Sequence, residues 1–259
     1  MSLEQAEQVQ GVPSIDERSG PRPAAIKIPI PKYTVIILVL LAAVFAVQLW
    51  VDGYRPNSVS DLFFHELLTS ARSAGFVKPD FFNGEIWLIL TGAFLHGFVA
   101  HFALNCYAFY SFGKLFELLT NRAHLAIVFL LSAIGGGLLS AYFMPYGTSI
   151  GASGGIVGLI GYLLIYAFRR RAFVSPEFRK NLMLNIGFIL LFGFFLYGIV
   201  DNWGHIGGLL AGAAYALIQV PADPYKDPRE AGAVTETLGL AALGVCIATA
   251  AFSIYLMLY

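Results

Sequence analysis

The chain has 259 residues, of which 58% are apolar and 12% charged. Soluble chains carry about 25% charged residues, so this apolar excess is more than one water-soluble core can hide, and it points to the bilayer as solvent. The formal net charge is zero, which removes a general electrostatic case for nucleic-acid binding.

Residues 1–32 are polar and contain Pro13, Pro21, Pro23, Pro29 and Pro31. They lack the basic-then-apolar order of a signal peptide, and a flexible cytoplasmic tail is expected, with the first apolar run retained as an anchor. A membrane helix needs about 20 mostly apolar residues. Seven segments qualify: 33–51, 94–116, 123–143, 151–168, 182–199, 203–220 and 235–258. Residues 33–220 thus form a six-span core, 221–234 a cytoplasmic linker and 235–259 a seventh span. The connection at 200–202 is very short, so spans five and six are expected to be antiparallel neighbours. The two cysteines, Cys106 and Cys246, lie in apolar runs and read as packing residues.

The first loop, about 52–93, is the only long one. It mixes polar residues with Leu62, Phe63, Phe64, Leu67, Phe81, Phe82 and Trp87. Ser60 is a candidate helix cap there, with Asp61 in the first turn. Two readings stay open: an interfacial segment sunk among headgroups, or a small folded loop on the helix ends. Orientation follows from Lys and Arg. Of the 16 present, all but Arg55, Arg72 and Lys78 fall on the side of the N-terminus. That side is expected to be cytoplasmic and the C-terminus, after seven spans, outside.

Polar groups inside spans are costly and therefore candidates for function. His96, His101 and Asn105 fall in span two, Ser153 in span four and His205 in span six. Spans two, four and six run in the same direction, and all five residues lie near their starts, so they share one layer below the outer surface. His101 and Asn105 are i and i+4 and share a helix face. His96 is expected in the first turn of the same helix, about 140° away. A zinc site is a weak alternative, because the i+4 partner is an amide and no carboxylate is near.

Ser153 sits in Gly151-Ala152-Ser153-Gly154-Gly155. The segment opens a helix, whose free N–H groups favour negative charge, as an acyl-transfer oxyanion requires. Serine needs a base within hydrogen-bond reach, and His205 serves if spans four and six touch. Gly204, Gly208 and Gly212 make a small-xxx-small face on span six, and Gly154, Gly158 and Gly161 a comparable strip on span four. Glycine strips alone say only close packing. By these residues alone, an enzyme and a transporter or proton-coupled channel both remain open.

The sequence resembles the rhomboid proteases in three motifs on correctly ordered spans. These are His96-xxxx-His101-xxx-Asn105, Gly151-Ala152-Ser153-Gly154, and Gly204-His205-Ile206-Gly207-Gly208-xxx-Gly212. Gly113, Glu117 and the run Gly135-Gly136-Gly137 also look like the family. The resemblance implies an all-α polytopic membrane fold, a six-helix core plus one C-terminal transmembrane helix. It further implies an intramembrane serine endopeptidase with Ser153 as nucleophile and His205 as general base. His101, Asn105 and the Ser153 backbone N–H, with Gly151 beside them, match the oxyanion hole. His96, Gly154 and Gly208 match supporting positions.

Two departures stand out. Many relatives have Trp-Arg where this chain has Trp87-Leu88, and Tyr or Phe where it has Val157. Asp201, four residues before His205, offers a triad reading, whereas the family works as a Ser–His dyad. Neither metal nor cofactor is expected. The expected partners are single-span or polytopic membrane protein substrates in the lipid bilayer, cleaved near the outer face, and the expected setting is a bacterial inner membrane. A non-catalytic relative that binds or moves membrane helices is the alternative; a transporter would show inverted repeats, and none is found.

Overall fold

The computed structural model describes residues 30–196, 198–223 and 225–259. The expected tail up to position 29, with Arg18, Arg22 and Lys27, lies outside the described residues. Helix α1 (Lys32–Val51) leads into the first loop, which holds α2 (Val59–Phe64), α3 (Leu68–Ala74), β1 (Phe76–Val77), α4 (Lys78–Phe82) and α5 (Leu88–Thr91). Then follow α6 (Val99–Leu119), α7 (Arg122–Phe143), β2 (Thr148–Ser149), α8 (Ser153–Arg169), α9 (Pro176–Phe195), α10 (Asn202–Gln219) and α11 (Ala233–Leu258). Among the described residues, seven long helices stand where seven were expected, six forming a core and α11 packing outside it against α1 and α7.

Four of the seven, α1, α7, α9 and α11, are long and apolar enough to cross a membrane by length and composition alone. The stretch from Leu88 to Phe94 passes together with α6, the two pieces meeting at 92°. Helix α8 is apolar but only 17 residues long. Physically, α8 faces protein rather than lipid: Leu159, Ile160, Tyr162 and Leu163 are all fully buried. It is the central post of the bundle.

Close backbone approach builds that centre. A Cβ at Gly208 would collide with the Gly154 carbonyl, and one at Gly212 with the Gly158 carbonyl. On the other side of α10, a Cβ at Gly207 would strike the Gly135 carbonyl of α7. Backbones this close give dense dispersion contact, which drives helix association where no hydrophobic effect is available. Gly113 and Glu117 seat α1 on α6: Thr34 donates to Glu117 Oε1 from both its backbone N–H and its hydroxyl at 2.7 Å, and Gly113 leaves room for the threonine side chain.

Three local expectations change. His96 is not in the first turn of a helix. The chain is irregular from Leu95 to Phe98, and α6 starts at Val99, because the extended Phe98 and the turn through Gly97 redirect the backbone. The cap of α2 is Ser58, whose side chain accepts from Asp61 N at 3.0 Å, rather than Ser60. Helix α9 starts six residues before the expected span, capped by Ser175 with Pro176 at its first position, and it ends at Phe195. Its link to α10 is thus longer than expected, closed by Asn202 Nδ2 donating to Leu190 O at 3.1 Å.

The first loop is folded. Phe76 and Val77 pair antiparallel with Ser149 and Thr148, and Phe76, Leu88 and Ala141 form a small buried cluster. Leu88 occupies the position of the missing arginine as a core residue. Trp87 sets its edge on Phe252 of α11 at 6.0 Å. The loop also exposes Phe64, Phe82 and Ile86, as suits a segment lying among headgroups, so the two readings of this loop are compatible.

Replacing Gly208 with Val should prise α10 from α8 and destabilise by at least the roughly 1–3 kcal/mol of overpacking. Gly187→Ala, in α9 with open space around it, should leave the melting temperature unchanged or raise it. Thermal unfolding in detergent reads both. Equal melting temperatures for Gly208→Val and the parent would contradict the packing account.

Candidate active site

The close approach of α8 and α10 brings their first turns together. His205 Nε2 lies 2.9 Å from Ser153 Oγ, a hydrogen bond between residues 52 apart in sequence. His205 is 7% exposed. Among the described residues its Nδ1 has no hydrogen-bond partner, and no aromatic ring packs against its imidazole. Val157, where relatives have an aromatic residue, is itself a buried part of the α8 core.

Gly151 precedes Ser153 by two residues and has φ +128°, a backbone that L side chains rarely adopt. Its N–H donates to Gly92 O at 2.9 Å, tying the approach to α8 onto the turn after α5. On its open side, the position a Cβ would take lies 2.8 Å from His101 Nε2 and 3.7 Å from Asn105 Nδ2. Both side chains thus converge on the glycine beside Ser153, as the i and i+4 spacing on α6 predicts. His101 Nδ1 accepts from Gly97 N at 3.4 Å, which in a neutral ring leaves Nε2 carrying the proton on the Gly151 side. The N–H groups of Ser153 and Gly154, in the first turn of α8, have no intrahelical acceptor. Two side-chain donors thus converge beside a helix start with free N–H groups and a hydroxyl, an arrangement suited to an oxyanion.

His96 stands apart from this space. Its ring is fully buried and meets the edges of Phe45, Phe102 and His101 at centroid distances of 6.2, 5.3 and 5.1 Å. Its backbone is clamped by Gln48, which accepts from His96 N at 2.9 Å and donates to His96 O at 3.1 Å. It backs His101 rather than reaching Ser153. Gly154 and Gly208 supply the α8–α10 contact itself.

Asp201 does not orient the His205 ring. Its Oδ1 accepts from Gly204 N at 2.8 Å, capping α10, and its Oδ2 accepts from Ser149 Oγ at 2.5 Å and from the Ser140 hydroxyl. The Ser149 hydroxyl in turn receives Lys78 Nζ at 2.8 Å. Lys78, Ser149 and Ser140 escaped the sequence reading. Lys78 was counted only as one of three outward charges, and nothing in its spacing marks it as buried. Ser149, Ser153, Asp201 and His205 line one cavity of about 50 Å³ beneath the first loop, room for a few waters.

Residues 83–222 match the family described as the Rhomboid domain, more than half of the chain and all of α6 to α10. A 137-residue segment is 39% identical to Rhomboid protease GluP of Bacillus subtilis, covering 52% of this chain and 27% of that protein. RHOMBOID-like protein 6, mitochondrial, of Arabidopsis thaliana is 31% identical over 157 residues, 57% of this chain and 48% of that one. Inactive rhomboid protein 1 of Bos taurus is 31% identical over 144 residues, 55% and 16% respectively. The chain thus spans about half or less of the length of these relatives. The matched segment carries His101, Asn105, Gly151, Ser153 and His205 on the helices that bring them together, and the chain belongs to the rhomboid family of multi-pass integral membrane proteins.

Proposed function

We propose that this protein is an intramembrane serine endopeptidase acting through a Ser153–His205 dyad. The observation that carries the reading is the 2.9 Å contact between His205 Nε2 and Ser153 Oγ, which line one cavity on two helices in backbone contact. Nucleophile and base within hydrogen-bond reach are what serine chemistry requires. His205 takes the Ser153 proton as the hydroxyl attacks the scissile carbonyl. The Ser153 N–H, His101 Nε2–H and Asn105 Nδ2–H stabilise the oxyanion beside Gly151. His205 then protonates the leaving amine, and water reaching the cavity hydrolyses the acyl-enzyme. Asp201, already holding two hydroxyls and a backbone N–H, acts outside the dyad. His96, Gly154 and Gly208 support the site by packing.

The substrates are transmembrane segments of single-span or polytopic membrane proteins, cut near the outer face. Lys114, Arg122, Arg169 and Arg170 lie towards the ends of helices opposite Ser153, and Lys226 lies in the link after α10, which supports a cytoplasmic N-terminus, an outer site and a C-terminus outside, in a bacterial inner membrane. The division into a core at 33–220, a linker at 221–234 and a seventh span at 235–259 belongs to the same reading. Helix α9 buries only Leu182 and Gly193, so it is the loosest wall, and the gap between α6 and α9 is the proposed gate for a substrate helix that unwinds on arrival. No metal or cofactor takes part.

A purified sample in detergent should cleave a single-span substrate, and Ser153→Ala and His205→Ala should each abolish this. A phosphonate probe should label Ser153 of the parent. Cleavage undiminished in Ser153→Ala would sink the proposal, while a parent that neither cleaves nor labels would favour a helix-binding, non-catalytic role. Asn105→Ala should lower kcat by about 10²-fold, the loss typical of one oxyanion donor. For Asp201→Asn a fall far smaller than the roughly 10⁴-fold of a lost triad carboxylate is expected; a fall of that full size would restore the triad.

A further inference from the structure

We infer that Lys78 and Ser149 are positioning residues: through the Asp201 carboxylate they hold the first turn of α10, and with it His205, in register with Ser153. The inference rests on the dyad reading and adds to it a connection from the first loop to the base.

Lys78 is 0% exposed, although it belongs to a loop. A lysine pays heavily for burial unless it is paired and hydrogen-bonded. Burial holds its ammonium pKa below the ordinary lysine range, and the nearby Asp201 charge acts in the opposite direction. Its one hydrogen-bond partner among the described residues is Ser149 Oγ at 2.8 Å. Lysine can only donate, so the Ser149 oxygen is the acceptor and its single proton is free to point onward. It points to Asp201 Oδ2 at 2.5 Å. The relay therefore has one direction: ammonium to hydroxyl to carboxylate. The Ser140 hydroxyl at the end of α7 donates to the same oxygen.

The far side of Asp201 is the start of α10. Oδ1 caps Gly204 N at 2.8 Å, and the Asp201 carbonyl accepts from His205 N at 3.1 Å. Four segments thus meet on one carboxylate: the first loop through Lys78, β2 through Ser149, α7 through Ser140, and α10 itself. Strand β2 leads directly into Gly151 and Ser153, so the same relay ties the approach to the nucleophile to the helix bearing the base. A cap alone would need neither a buried lysine nor a serine from another loop. The ring of His205 has no carboxylate of its own, so its placement depends on its backbone being held.

The test uses the full chain in detergent with a single-span substrate. Misplacing a reacting group by about 1 Å can cost about 10²-fold, and a partial slackening should lower kcat in Lys78→Met and Ser149→Ala by about tenfold, with KM changed less than about twofold. Phosphonate labelling of Ser153 should slow in parallel. Ser149→Thr, which keeps the hydroxyl, should retain most of the activity. Residues joined in one network are non-additive, so Lys78→Met/Asp201→Asn should be no slower than the slower of its two single variants. Amide hydrogen exchange at Gly204 and His205 should rise at least about tenfold in Lys78→Met and Ser149→Ala. Exchange and kcat at parental values in both would overturn the inference, as would losses that multiply in the double variant. Should Lys78→Met not fold, the Ser149→Ala and Ser149→Thr pair decides alone. Raised exchange together with a Ser153→Ala variant that cleaves like the parent would remove the dyad reading and leave the positioning role standing.

Discussion

The contact between the backbones of α8 and α10 is the constraint on which the other features depend. Where Gly154 meets Gly208 and Gly158 meets Gly212, no side chain separates the helices. That spacing lets a short side chain on one helix reach an imidazole on the other, and it does so in the first turn of each helix. With alanine-sized spacers the axes would move apart, and the Ser153–His205 hydrogen bond at 2.9 Å would open. In lipid such contact also supplies much of the association energy, since apolar side chains gain little by leaving one hydrocarbon environment for another.

A bundle held by such contacts can carry polar groups inside, provided each is partnered. Several of the buried polar groups meet that condition. Gln48 ties Ser70 and the irregular backbone at His96. Glu117 binds Thr34. Near the opposite ends of α8 and α10, His124 bonds both Tyr215 and Gln219, at 2.9 and 2.7 Å, and Gln219 also receives the Tyr162 hydroxyl. These networks fix helix register where apolar packing alone would allow sliding. Among the described residues, His205 Nδ1, both ring nitrogens of His96 and the Ser132 hydroxyl are buried without a partner.

What could be read from the sequence follows from how local each signal is. Seven apolar runs gave the number and order of long helices, because the length a bilayer demands is a property of one segment. The i, i+4 relation of His101 and Asn105 survived, because α6 is regular there. His96 was misplaced because Gly97 and the extended Phe98 delay the start of α6 until Val99, past His96, and apolar composition does not register such a break. Ser58 replaced Ser60 because a cap is chosen by backbone geometry at a single residue. The match of residues 83–222 to the Rhomboid domain leaves α1, the first part of the loop and α11 to be described by structure alone. Lys78, Ser149 and Ser140 could not be found by spacing at all: they are joined only after β1 pairs with β2 and α7 ends beside α10.

The helices that carry Ser153 and His205 are also among those least recognisable as membrane spans. Helix α8 is short, and α10 is rich in glycine, whereas α1, α7, α9 and α11 pass on length and apolarity. This follows from where each helix sits. A helix in contact with lipid must be apolar over about 30 Å of hydrocarbon, but one enclosed by other helices is relieved of that demand. Its length is then free to end inside the protein, leaving its N-terminus, with its free N–H groups, below the surface and next to a polar cavity. Water can reach that depth only if something other than lipid lies above it, and here the folded first loop does, anchored by Leu88 in its own small core and by Trp87 on α11. The loop that covers the cavity is also the one that sends Lys78 to Ser149, which lines it. On the proposed protease reading, a substrate segment reaches Ser153 by displacing part of this cover or the lightly packed α9, which buries only Leu182 and Gly193. A relay that holds His205 while its roof moves would then separate the part that opens from the part that stays still.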